Sequence, residues 1–308
     1  MSGPWPLAEG GGDGGVWRQI FNFENYGDLL ALVHHSLLAG VLLGLVGGLV
    51  GVFVIMRDLP FAVHGISELS FAGASAALLL GVNIVAGSIV GSLLAAAAIG
   101  VLGVRARDRN SIIGILMPFG LGLGVLFLSL YKGRAANKFG ILTGQIIAVD
   151  TPQMAWLLGT SVVVLAALVF LWRPLTFASA DPEVAEARGL PIRTLSLAFM
   201  LVLGLAVALC VQIVGALLVL ALLVTPAAAA ARLTASPVLL PVLSVAFALV
   251  AMEGGILLAL GSTIPISPYV TTISFVIYLA CRLASGRRAA QGASARARLD
   301  PVGAAGPH

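Results

Sequence analysis

Residues 57–73 read Arg57-Asp58-Leu59-Pro60-Phe61-Ala62-Val63-His64-Gly65-Ile66-Ser67-Glu68-Leu69-Ser70-Phe71-Ala72-Gly73. Long apolar runs flank the core of this segment, one ending at Met56 and one covering about Ile66 to Leu80. Between them stand His64 and Glu68, four residues apart. On a helix that spacing puts both side chains on one face, one turn above the other. Ionisable groups are costly at membrane depth and by default mark an ion or substrate path. The fold therefore depends on whether these runs cross a bilayer.

Composition says that they do. Of 308 residues, 59% are apolar and only 10% charged, and the mean hydropathy is +1.07. A soluble domain carries about 25% charged residues, so this chain could not cover its own surface with polar groups. At roughly 20 residues per crossing the length accommodates about eight to ten spans, nine on the best count, with no second folded domain. The expected fold is all-α, a polytopic transmembrane helical bundle over residues 28–284. A flexible tail is expected over 1–27, rich in Gly10, Gly11 and Gly12 and without the basic and apolar regions of a signal peptide. A disordered basic tail is expected over 285–308.

The net charge of +4 reads as a topology signal and not as a nucleic-acid surface. Placing residue 57, the 105–109 cluster, the 173–193 loop, Arg232 and the C-terminal tail inside puts thirteen of the 17 Lys and Arg there. Nine spans would then leave the N-terminus outside. The two cysteines, Cys210 and Cys281, fall inside apolar runs and read as small buried hydrophobes.

Glycines punctuate the runs. Gly40, Gly44, Gly47, Gly48 and Gly51 allow helices to approach closely, and Gly120, Gly122 and Gly124 read as packing surface and not as a phosphate cradle. Gly81-Val82-Asn83 reads as a tight turn. The one sizeable hydrophilic loop, 173–193, contains a helix signature: Ser179 or Asp181 as N-cap, Pro182 in the first turn, acids such as Glu183 near the positive dipole end, and Gly189 followed by Pro191 as the stop. It predicts a short surface helix over 182–188.

His64 and Glu68 admit two readings: ligands of a passing divalent transition ion, or a structural hydrogen bond between packed helices. Glu253, the other carboxylate deep in an apolar run, reads either as path lining or as a buried helix contact. His34 and His35 fit an interfacial position, and Asp150 fits a helix N-cap. The sequence has no P-loop, no His-Glu-x-x-His and no Gly-x-Ser-x-Gly, so neither ATP hydrolysis nor intramembrane proteolysis is supported in this chain.

Taken together, the chain from about Leu38 to Leu283 resembles the membrane permease subunit of zinc- or manganese-type ABC importers. Four stretches carry the likeness. Ser67 and Gly73 match the family's Gly-Asp-x-x-Ser-His-x-x-x-Pro-Gly pattern, with His64 where the family has Asp, Glu68 where it has His, and Ala72 in place of Pro. Ser111 to Leu116 resembles the start of its fourth-run helix, and Leu142 to Val149 resembles its Leu-Phe-Gly-x-Leu-Leu-x-Val segment. Val214 to Ala230, with Gly215, Thr225 and Pro226, is similar to its Gly-x-Leu-Leu-Val-x-Ala-Leu-Leu-x-Thr-Pro-Ala-Ala signature.

The resemblance implies a type II ABC importer-like fold and a multi-pass subunit of a prokaryotic cytoplasmic membrane, working as a homodimer. It implies no enzyme activity and no permanent cofactor, with a zinc or manganese ion as cargo and ATP bound on a partner chain. Implied partners are a cytoplasmic ABC ATPase, docking on Asp181, Glu183, Ala185 and Gly189, and an extracytoplasmic metal-binding lipoprotein. His64 and Glu68, with Glu253 as a weaker candidate, would line the ion path. A permease for a siderophore or cobalamin chelate and a membrane scaffold without transport activity are the alternatives; a chelate would need a wide path poor in ionisable groups.

Overall fold

The computed structural model describes residues 34–103, 106–133, 140, 151–216, 218–260 and 265–299, with backbone alone for 106, 107, 151 and 287–299. The 1–27 tail, the Leu142–Val149 segment and Asp150 lie outside the described residues. The described secondary structure is helical: α1 His34–Met56, α2 Pro60–Leu80, α3 Ile84–Leu102, α4 Ala106–Leu130, α5 Thr151–Ala180, α6 Pro182–Ala187, α7 Ile192–Val214, α8 Val219–Leu223, α9 Thr225–Leu233, α10 Leu239–Ala259 and α11 Ile266–Leu299.

Eight of these helices (α1 to α5, α7, α10 and α11) are long and apolar enough to cross a membrane. The seventh apolar run of the sequence is different. It breaks at Val224 into α8 and α9, together spanning only Val219–Leu233. The cause is local: Pro226 has no N–H to give the carbonyl of Leu222, so the regular bonding ladder cannot continue through it. Among the described residues, eight unbroken helices of spanning length and one broken run stand where nine spans were the best count.

Helix α2 also starts earlier than expected. Pro60 stands in its first turn, where a missing N–H costs nothing, and Asp58 turns the chain with φ +54°. His64 and Glu68 therefore both lie inside a regular helix. Gly81, at φ +70°, ends α2, and the Asn83 side chain caps α3 by accepting from the N–H groups of Val85 and Ala86. The last helix runs on to Leu299, past the boundary at 284.

Small residues set the packing. A Cβ on Gly48 would come within 2.6 Å of Val245 Cα, and one on Gly44 within 3.3 Å of the Leu249 backbone, so α1 and α10 touch nearly backbone to backbone. The Ser244 hydroxyl donates to Gly48 O at 2.7 Å across the same contact. Gly47 faces Leu222 and Gly51 faces Leu223, which seats the broken run on the other side of α1. Gly73, Gly87 and Gly91 close α2 on α3, where Ser70 and Ser88 share a buried hydrogen bond of 2.7 Å. The core lies along α1, α2 and α7, with α4, α5 and α11 more exposed.

Candidate functional site

His64 and Glu68 occupy successive turns of α2 in its N-terminal half. At 1.5 Å per residue from Pro60, Glu68 is about 12 Å into the helix. His64 Nε2 lies 3.7 Å from Glu68 Oε1, with side-chain exposures of 31% and 9%. That separation is too long for a hydrogen bond. It is close to the roughly 3.1–3.4 Å between two ligand atoms that each stand about 2.1 Å from one divalent ion. Of the two readings open from sequence, the direct hydrogen bond is therefore not formed, and the ligand geometry is available.

The surroundings hold Glu68 in place while leaving His64 loose. A Cβ on Gly120 would sit 2.9 Å from the carbonyl carbon of Glu68, so the absent side chain at 120 lets α4 close on α2 at that turn. Gly124 plays the same part against Phe71, whereas Gly122 meets nothing. The Ser67 hydroxyl donates to His64 O at 2.8 Å, a local bond that keeps Ser67 off the pair. His64 Nδ1 is buried with no hydrogen-bond partner, so no neighbour fixes its tautomer. Further along α2, an apolar groove of about 630 Å³ between α2, α3 and α4 is lined among others by Leu69, Ala72, Ala76, Phe119 and Leu123, and by neither His64 nor Glu68.

Glu253 does not join the pair. Its Oε1 is buried without a partner and faces Gly40 on α1. Helix α10 packs on α1, α9 and α11, whereas α2 packs chiefly on α3 and α4. Among the described residues no group of three or more His, Cys, Asp or Glu side chains could hold a metal ion. Cys210 and Cys281 are both free and buried.

The loop helix forms where its signature placed it. Asp181 Oδ1 accepts from Val184 N at 3.0 Å, Ala185 is fully buried, and Gly189 takes φ +83°. The Arg188 guanidinium lies 5.8 Å from the centre of the Phe177 ring, tying the loop to the end of α5. Glu183 and Val184 point outward.

Sequence reading missed a second arrangement, at the turn between α1 and α2. Arg57, between α1 and α2, stacks over Phe199 of α7 at 5.7 Å, beside Arg109 of α4. Phe53 links this stack to Trp172, with ring centres 4.9 Å apart. The basic residues were visible, but only as topology markers.

The sequence pattern of the ABC 3 transport family matches residues 30–285. The chain belongs to that family. It is 31% identical over 203 residues to the manganese transport system membrane protein MntC of Halalkalibacterium halodurans, covering 66% of this chain and 70% of that one. It is 25% identical over 232 residues to the high-affinity zinc uptake system membrane protein ZnuB of Haemophilus influenzae, covering 75% and 89%. A solved structure of PsaBC from Streptococcus pneumoniae in complex with Fab superposes with a TM-score of 0.74 at 27% identity, covering 83% of this chain and 94% of that one. This ABC 3 family member is thus a multi-pass transport protein, and Thr225-Pro226 supplies the break between α8 and α9.

Proposed function

We propose that the protein is the permease subunit of an ABC importer for a divalent transition ion, manganese or zinc, in a prokaryotic cytoplasmic membrane. The observation that carries this reading is the His64–Glu68 pair, one imidazole and one carboxylate 3.7 Å apart inside a membrane helix of an ABC 3 family member. Both side chains are ligands that such ions accept. The names of the manganese and zinc relatives support the same cargo.

Two protein ligands suit a transport site, since an ion held by a complete cage cannot leave. Two copies of the chain would enclose one path, with water or the second copy supplying the remaining donors. Helix α6 would press into a separate cytoplasmic ATPase, with Glu183 and Val184 outward and Ala185 anchoring the helix from beneath. ATP binding by that partner would then favour one of two permease states by differential affinity. An extracytoplasmic lipoprotein would deliver the ion to the outer face. The chain itself would be a transport subunit and not an enzyme.

The test is metal accumulation in a deletion strain under manganese and under zinc limitation. It is complemented with the wild-type chain or with His64→Ala plus Glu68→Ala. Wild type is expected to restore accumulation of one metal and the double variant to fail at equal membrane abundance. Normal accumulation of both metals in the deletion strain would refute the reading.

A further inference from the structure

Arg57 and Arg109 form a cationic pair that the transport reading does not use. Arg57 enters from the turn after α1, and Arg109 from the first turns of α4. Burial, and after it the charge of Arg109, pull the Arg57 guanidinium below its ordinary pKa, while the guanidinium itself lies 5.7 Å from the centre of the Phe199 ring. Arg109 Nε is buried with no hydrogen-bond partner. The ion pair His64–Glu68 is the one found among the described residues, and the exposed carboxylates of Asp58 and Asp108 make none with either arginine. Two half-buried arginines, one with an unfilled donor and neither with an acidic partner among the described residues, call for an anion from outside the chain.

Depth selects which anion. Phe199, over which Arg57 stacks, lies two turns inside α7, about 10 Å from the first residue of that helix. Arg57 and Arg109 both stand at the ends of helices long and apolar enough to cross a membrane, which is the level at which lipid headgroups lie. The helices leading away from the pair carry outward apolar residues, Phe61 on α2 at 70% exposure and Ile115 on α4 at 68%. Basic pockets between membrane helices on the cytoplasmic side hold anionic lipid headgroups. We propose that Arg57 and Arg109, backed by Phe199, bind the phosphate of an anionic phospholipid in the cytoplasmic leaflet.

The site rests on the orientation given by the basic residues but not on which ion is carried, and its test involves no transport. Purified full-length permease is titrated with phosphatidylglycerol, with phosphatidylcholine and with sodium phosphate, and bound molecules are counted by native mass spectrometry. Wild type is expected to retain phosphatidylglycerol over phosphatidylcholine, even in excess phosphate. Each arginine contributes about fivefold in affinity, so Arg57→Gln with Arg109→Gln lowers retention by about 25-fold. Arg57→Lys with Arg109→Lys keeps most of it. Equal retention of the two lipids by the wild type overturns the proposal, a result that needs no variant to fold. Displacement of the lipid by free phosphate also overturns it. So does loss of ATPase co-purification in the glutamine variant with lipid retention unchanged, since the arginines then serve a protein partner.

Discussion

Replacing Glu68 by Gln separates a ligand from a packing element. The side chain is 9% exposed, lies on the turn where Gly120 brings α4 against α2, and has the same shape as glutamine. The substitution should therefore leave the helix contact intact. It removes one buried charge whose partner, His64 at 3.7 Å, stands beyond hydrogen-bonding distance, so the desolvation cost relieved is set against one loose, half-exposed ion pair. The melting temperature is expected to stay level or rise. Transport is expected to fall, because half of the protein ligand set loses its charge. Changes to groups that merely orient a metal ligand lower affinity or activity about 10–100-fold, so loss of a ligand itself should lower uptake at least tenfold. The assay is radioactive manganese or zinc uptake at limiting metal, paired with thermal unfolding of the purified variant. Unchanged uptake would refute the ligand role. Uptake lost together with a fall in melting temperature would show that Glu68 holds the helices together instead.

Two further outcomes follow from the packing. Gly120→Val would push a branched side chain into the Glu68 backbone; overpacking of this kind costs about 1–3 kcal/mol, read as a lower melting temperature, with Gly122→Val, which meets nothing, as the silent control. At the loop helix, Asp181→Ala removes the cap on Val184 N and costs that helix about 1 kcal/mol, while Ala185→Arg puts a charge into a fully buried position. Both are expected to lower uptake while ATP hydrolysis by the partner continues; tight coupling in both variants would remove α6 from the docking surface.

What the sequence disclosed was mainly local chemistry. The Gly81–Asn83 turn, the Asp181 cap and the Gly189 stop each depend on neighbours within about four residues, so the chain spells them out. The start of α2 was misplaced because Pro60 was weighed by hydropathy, when its position at the first turn was the stronger signal. Hydropathy likewise merged α8 and α9 into one span, although Pro226 carries the reason for the break. The rest depends on which helices meet. Nothing near Gly120 says that it faces Glu68, and nothing near Arg57 says that it covers Phe199. Those contacts join residues 52 and 142 positions apart, and only the assembled bundle shows them.

The arrangement of carboxylates bears on how an ion could move. Glu68 lies in the N-terminal half of α2, in the group formed with α3 and α4, while Glu253 lies against Gly40 near the start of α1. Had both acids met in one copy with His64, the three would make a site closed enough to trap an ion. Their separation keeps the strongest donors two at a time, and the open side of the pair, where His64 is 31% exposed, is where further donors must arrive. Capture would then require groups that come and go with the conformation, water or a second copy of α2 among them. On the proposed reading, a pair so incomplete would bind well only when the surrounding state supplies the rest, and that differential affinity would let a partner's ATP cycle move the ion in one direction.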